Sequence, residues 1–211
     1  MITLYTAGTH NGFRANIALA ESGLKYRVIK VALASPLTER GADFLSATPL
    51  GRIPAIMDSE GPGAQPGKPT MVSQSVAVMM YAANKSGKLW PQSDADKITA
   101  LQWLMHTCSD VAPWNAVMNQ MTNGMFPEKS DANIAFAKNK RLMRWLGEAD
   151  ARLGEVQFLA GSEISLPDFA LYPIAHQRKA WLEEAGMKNL LRWWATLTNR
   201  PGVQKGMAES A

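Results

Sequence analysis

Cysteine is nearly absent from this chain of 211 residues, in which Cys108 is the only one. A single thiol excludes an intrachain disulfide framework and fits a reducing compartment. No apolar run reaches the roughly 18 residues that a membrane-spanning helix needs. The first residues also lack the charged-then-apolar pattern of an export signal. We therefore expect a cytoplasmic protein that does not engage a membrane.

The sequence contains no pattern that predicts a metal site or a nucleic-acid-binding surface. His106 and His176 have no partners at metal-ligand spacing, so we expect no bound metal. The balance of 22 basic and 18 acidic residues favours anionic ligands without a polycationic surface. The basic run "KNKRLMR" at 138–144 is typical of a solvated helix face, so nucleic-acid binding is not expected.

What the chain does contain is, first, an alternation of strand and helix patterns over some eighty residues. Strand patterns lie at 2–7, 25–33, 53–58 and 70–73, and helix patterns lie at 12–22, 38–48 and 73–86. This order, β-α-β-α-β-β-α, predicts a small α/β sandwich in which the first two strands are parallel and the last two form a hairpin. The Gly- and Pro-rich stretch 59–69 predicts a loop within that hairpin.

Strand patterns end after this region, and residues 94 to about 200 read as several helices. Ser165 and Asp168 have the spacing of a capping box at a helix start, and we assign them a structural role. The sequence thus predicts an α/β domain at 1–83, a linker at 84–93 and an all-helical domain at 94–211.

Two features of the α/β part predict a binding site. Pro54 stands at the start of an apolar strand, where a candidate cis bond would leave the backbone N–H and C=O of Ile53 free to pair with an extended peptide. Gln74 and Ser75 stand where a strand gives way to a helix, and the N–H groups of a helix N-terminus bind carboxylates. Together they indicate a site for a small anionic peptide.

Four motifs in this order resemble the cytosolic glutathione transferase family over nearly the whole chain. They are the loop in "ITLYTAGTHNGFRANIALAES", "TPLGRIPAIMD", "SQSVAVMMYAA" and the Ser-x-x-Asp box. The resemblance implies a thioredoxin-like N-terminal domain that binds glutathione as co-substrate. It also implies an all-α C-terminal domain that shapes a second-substrate pocket, and a homodimer.

The first loop resembles the bacterial nu-type members, with Thr9 and Asn11 at the matching positions and no catalytic cysteine. It departs from them at Gly8 and at His10, where a proline is common, and Gln74 replaces a frequent glutamate. The absence of cysteine before Cys108 argues against a cysteine-type transferase.

The resemblance implies that Thr9 and Asn11 stabilise the glutathione thiolate, since a free thiol titrates near 8.5. The alternative is that both residues only cap the first helix. Tyr5 is a rival for the sulfur, because other classes use a tyrosine at the end of the first strand. Its own alternative is core packing.

The remaining glutathione contacts follow from the same match. Ile53 would pair with the peptide, Pro54 would hold that edge open, and Ser75 with Gln74 would meet the γ-glutamyl group. Arg52 would reach the glycyl carboxylate, unless it is a surface arginine. Thr38 and Lys138 are approximate matches to further ligand contacts.

Trp114, Met118 and Met121 are candidates for an apolar second-substrate pocket, although such a stripe is also typical of core packing. We expect an enzyme that conjugates glutathione to electrophiles or uses it to reduce a disulfide or peroxide. The alternative is a non-catalytic binding or regulatory module with the same fold.

Overall fold

A computed structural model describes residues 1–48, 50–126 and 129–211. Its contacts divide the chain into two compact units, Met1–Leu89 with Thr198–Ala211, and Trp90–Leu197. The last fourteen residues thus pack with the first unit, whereas the sequence analysis places them in the helical part. The division into 1–83, 84–93 and 94–211 stays a prediction of functional domains.

The first unit is built on one four-stranded sheet. Its elements in chain order are β1 Ile2–Thr6, α1 His10–Ser22, β2 Tyr26–Lys30, a 3₁₀ turn at Leu37–Glu39, α2 Ala42–Ala47, β3 Ala55–Asp58, β4 Thr70–Ser73 and α3 Ser75–Ser86. The strand order is β2-β1-β3-β4. β1 and β2 are parallel, and β3 and β4 form an antiparallel hairpin. The predicted order and pairing are therefore confirmed.

β1 lies at the centre of the sheet and is buried on both faces. Side chains alternate along a strand, so successive residues enter different layers. Ile2 and Leu4 pack with residues of α1 and α3. Tyr5 packs on the other face with Phe44 and Ala47 of α2. This two-layer burial fixes the position of the loop that follows β1.

The second unit is all-helical among its described residues. Its elements are α4 Asp94–Met105, a π-helical segment His106–Val111, α5 Ala112–Thr122, α6 Asp131–Ala135, a second π-helical segment Phe136–Leu142, α7 Met143–Glu155, α8 Leu166–Gln177, α9 Lys179–Glu184 and α10 Lys188–Thr198. The predicted fold class, an α/β unit followed by helices, is confirmed. Among the described residues, no helix combines the length and apolar content that crossing a membrane requires.

The last helix, α11 (Pro201–Ser210), packs along α1 of the first unit. The two backbones approach closely at Gly206, where a Cβ would stand 2.6 Å from the Ile17 Cα. Only glycine allows this approach. Two polar contacts flank it: Asn16 donates to Ser210 Oγ at 2.9 Å, and Arg200 pairs with Glu21. α1 is consequently held between the sheet and a second helix.

The capping box at the start of α8 is confirmed, and it is completely buried. Asp168 accepts hydrogen bonds from the N–H groups of Ser165 at 2.9 Å and Leu159 at 3.0 Å. The Trp193 indole also donates to it, at 2.8 Å. Burial raises the pKa of Asp168 to about 6, while these hydrogen bonds favour its ionised form. One carboxylate therefore joins the start of α8, the turn before it and α10.

We expect Asp168→Ala to lower the free energy of unfolding by about 3 kcal/mol or more, because three buried donors lose their acceptor. Chemical denaturation followed by circular dichroism measures this. Asp96→Ala is the matched control, since Asp96 occupies the same position in an exposed box with Ser93 at the start of α4. It should lose less than about 1 kcal/mol. Equal losses would contradict the role given to Asp168.

Candidate active site

Three chain segments meet at one end of the sheet. Ala55, the first residue of β3, pairs with Tyr5 near the end of β1 and with Ser73 at the end of β4. The residues just before β3 and just after β1 and β4 therefore lie at the same end. These are the segments that contain the candidate residues of the first unit.

The peptide bond between Ile53 and Pro54 is cis, as the sequence predicted. Ile53 precedes the ladder, in which pairing begins at Ala55. Its backbone N–H and C=O make no hydrogen bond to any described part of the chain. Since Ile53 is only partly buried, this backbone is accessible to an extended ligand.

The start of α3 is an uncapped helix N-terminus. Gln74 is its N-cap residue, and its side chain makes no hydrogen bond to the first turn. The first N–H groups of a helix have no partner within it, and together they form a positive pole. Gln74 also has a φ of 78°, which costs a non-glycine residue about 1 to 3 kcal/mol, and such strained residues cluster at functional sites.

A closed ring of hydrogen bonds joins the first turns of α1 and α3. Arg14 donates from Nε to Ser75 Oγ at 2.9 Å and from Nη2 to Asn11 Oδ1. The Ser75 hydroxyl donates to the same Asn11 oxygen at 3.2 Å. Arg14 and Ser75 are both buried, at 5% exposed each. The ring places a buried positive charge beside the open N-terminus of α3.

This ring also decides how Asn11 is oriented. Its oxygen accepts from Arg14 and Ser75, so its amide NH₂ points away from both. That NH₂ group has no acceptor among the described residues. The Thr9 hydroxyl accepts a hydrogen bond from the N–H of Gly12 at 3.1 Å and so caps the first helix. Its own proton is still available to donate. Capping and donation by Thr9 are therefore compatible.

Tyr5 has the surroundings of a packing residue. It is 4% exposed, its hydroxyl donates to Met57 Sδ at 3.5 Å, and its ring lies 5.7 Å from that of Phe44. Burial, and after it the carboxylate of Asp43, raise the pKa of Tyr5 above its usual value. Such a hydroxyl is a poor partner for a sulfur anion, so the geometry favours the packing alternative.

The remaining predicted residues are not members of the ring. Thr38, in the 3₁₀ turn, and Arg52 are exposed. Four belong to the second unit: Trp114, Met118, Met121 and Lys138. Met118 is 1% exposed and packs in the core, as the packing alternative has it. Lys138 pairs with Glu184 at 3.2 Å and stands over the Trp181 ring.

Arg14 is the residue that the sequence analysis missed. A lone cation in the apolar stretch after Thr9 and Asn11 was a signal, but its partner Ser75 lies 61 positions later in the chain. No group of three or more His, Cys, Asp or Glu side chains suited to a metal occurs in the described ranges.

Two family descriptions match the chain. The N-terminal domain of glutathione S-transferase matches residues 10–85, and the C-terminal domain matches residues 113–201. The chain belongs to the glutathione transferase family. Its two-part fold and the order of its motifs agree with that membership.

Among glutathione transferase relatives, the disulfide-bond oxidoreductase YfcG of Escherichia coli (strain K12) is 28% identical over 100% of this chain and 96% of its own length. A glutathione transferase family member from Pseudomonas fluorescens, solved with two glutathione molecules bound, is 29% identical with a TM-score of 0.86 and covers 98% of this chain and 92% of its own. A glutathione transferase from Pseudomonas putida, solved with one glutathione disulfide bound per subunit, is 30% identical with a TM-score of 0.82. The match covers 98% of this chain and 90% of the Pseudomonas putida chain.

A double-mutant cycle tests the hydrogen-bond ring. We expect Arg14→Met and Ser75→Ala to be coupled by about 1 to 3 kcal/mol in the free energy of unfolding, because each removes the other's buried partner. Urea unfolding of the four proteins measures the coupling.

Ser86→Ala is the matched control, because Ser86 ends the same helix and makes only local bonds: its hydroxyl donates to the Ala83 carbonyl and accepts the Lys88 N–H. Its coupling to Arg14→Met should stay within about 0.5 kcal/mol. Coupling of the same size in both cycles would show that the ring does not act as a unit.

Proposed function

We propose that this glutathione transferase reduces small disulfides, with glutathione as both nucleophile and reductant. The observation that carries the proposal is the orientation of Asn11, whose amide NH₂ is turned away from the ring at the positive end of α1. With the Thr9 hydroxyl it supplies two donors for a thiolate. The name of the relative YfcG and the glutathione disulfide in the Pseudomonas putida structure support this reaction.

The peptide backbone of glutathione would pair with Ile53 in the manner of an added strand, with Pro54 ending the protein's own ladder beside it. Its γ-glutamyl carboxylate would accept hydrogen bonds from the first N–H groups of α3, including that of Ser75. The buried charge of Arg14 stabilises that carboxylate. Gln74 would face the adjacent ammonium group.

The glycyl end of glutathione is proposed to lie near Arg52, an exposed cation that follows α2 along the chain. Thr38 remains a candidate polar contact for it. Lys138 would have to leave Glu184 before it could serve as a ligand. These three contacts are secondary to the ring and the α3 N-terminus.

The sulfur chemistry needs no protein cysteine. A bound glutathione thiolate attacks one sulfur of the substrate disulfide, forms a mixed disulfide and releases the other half as a thiolate, which takes up a proton. A second glutathione thiolate attacks the glutathionyl sulfur, which yields glutathione disulfide and the second thiol. Two glutathione thiols are oxidised, and one substrate disulfide is reduced. Thr9 and Asn11 favour the attacking thiolate by lowering the thiol pKa.

We further propose that residues 1–83 bind glutathione, that 94–211 contribute the second-substrate pocket, and that the enzyme acts as a cytoplasmic homodimer. Trp114 and Met121, both partly buried, are the pocket residues that offer surface to a ligand. Light scattering of the purified protein tests the dimer independently of the reaction.

Three variants of Thr9 separate capping from thiolate stabilisation. Serine keeps the cap and the donor, aspartate caps as well but has no proton to give, and alanine loses both. We expect kcat/KM for bis(2-hydroxyethyl) disulfide to stay within about two-fold in Thr9→Ser. It should fall about ten-fold or more in Thr9→Asp and Thr9→Ala, through the loss of a charged hydrogen bond. Coupled oxidation of NADPH by glutathione reductase follows the turnover.

The same preparations are assayed for conjugation of glutathione to 1-chloro-2,4-dinitrobenzene, and thermal unfolding checks the cap. Retained activity in Thr9→Asp would contradict thiolate stabilisation by Thr9. If the protein conjugates glutathione but does not turn over the disulfide, conjugation and not reduction is its reaction. Glutathione binding without either activity would favour the non-catalytic module.

A further inference from the structure

The basic run 138–144 is not a uniformly solvated helix face. Its first part lies in the π-helical segment Phe136–Leu142, and Arg141 and Leu142 face the interior, half-buried and fully buried respectively. A π-helical turn holds one more residue than an α-helical turn, so it shifts the face that following side chains occupy. Arg141 is therefore brought against α5 rather than into solvent.

Arg141 rests on a corner of two aromatic rings. Its guanidinium carbon lies 5.3 Å from the centre of the Trp114 ring and 5.1 Å from that of Phe136. The two rings meet nearly edge to face, with centres 6.3 Å apart at 73°. Arginine suits such a position because its planar cation stacks on aromatic faces and is weakly hydrated. The corner thus holds the guanidinium beside both rings.

The hydrogen-bonding groups of Arg141 have no protein acceptor in the described ranges. Its Nε is buried without a partner, whereas neither Nη atom is among the fully buried atoms that lack one. Arg144, three residues later, also stacks on a ring, that of Trp145, but it is ion-paired with Glu148 at 3.6 Å. A guanidinium that lies against two rings, with no carboxylate partner among the described residues and with Nη atoms that are not fully buried, can accept a planar anion end-on.

We propose that Arg141, Trp114 and Phe136 form a carboxylate-binding corner that selects second substrates with a carboxylate beside an apolar part. This rests on the proposed disulfide reduction and names its substrate class: disulfides that bear carboxylates. The two Nη groups bind the carboxylate, and the exposed part of Phe136, 47% of its surface, covers the adjoining carbon chain. Through Arg141, the basic run would thus select substrates that carry a carboxylate.

The test compares two disulfides of similar size, the dianionic 3,3′-dithiodipropionate and the neutral bis(2-hydroxyethyl) disulfide. We expect Arg141→Gln to raise KM for the dianion about ten-fold or more, since a charged pair of hydrogen bonds is lost. KM for the neutral disulfide should stay within about two-fold. Arg141→Lys keeps the charge without the planar fork and should be intermediate.

Arg144→Gln is the matched control and should leave both KM values unchanged. Thermal unfolding checks that each variant is folded, and Arg141→Lys keeps the test valid if the glutamine variant is not. An equal rise for both disulfides, or no rise for either, would overturn the proposal.

A binding measurement separates this proposal from the proposed reaction. Calorimetric titration with 3,3′-dithiodipropionate, in the presence of saturating S-methylglutathione, needs no turnover. Weaker binding to Arg141→Gln than to the unaltered protein supports the corner even if neither disulfide is reduced. Equal binding to the two proteins overturns it.

Discussion

The ring of Arg14, Ser75 and Asn11 is the interaction on which the proposed chemistry of the first unit depends. It joins the first turns of two helices that are far apart in sequence, and it does so with a buried charge. Because a buried guanidinium must keep its hydrogen-bond partners, both helix starts are held in fixed relation. The same bonds turn the Asn11 amide NH₂ away from the ring, to the side where we propose that the thiol binds, and they leave positive charge beside the proposed carboxylate site.

The scaffold around this ring explains why it can be fixed so closely. α1 is packed against the sheet and α3 on one side and against α11 on the other. Gly206 allows the close approach of α11, and the central strand β1, buried on both faces, positions the loop that precedes Thr9. The cis peptide before Pro54 and the φ of Gln74 belong to the same end of the sheet, where the Ile53 backbone makes no hydrogen bond to the described residues. Rigid packing thus supports a site that lies on loops and helix ends.

Local signals made much of this predictable. Pro54 before an apolar strand, Gln74 with Ser75 at a strand-to-helix turn and the Ser165–Asp168 box each act within a few residues, so sequence spacing reveals them. Three features were missed, two of them because they depend on long-range contacts. The partner of Arg14 lies on another helix, 61 positions later, and α11 packs on α1 through a close glycine contact. The third, the position of Arg141, depends on a π-helical turn that shifts the apolar pattern. Periodicity records which face is apolar, but not which element covers it.

The most direct measurement is a crystal structure of the protein soaked with glutathione. We expect the peptide of glutathione to pair with the backbone of Ile53, and its γ-glutamyl carboxylate to lie within hydrogen-bond distance of the Ser75 N–H. Its sulfur should lie within hydrogen-bond distance of Thr9 Oγ1 or Asn11 Nδ2. Glutathione bound elsewhere, or a sulfur that faces neither residue, would contradict the assignment of this end of the sheet as the active site.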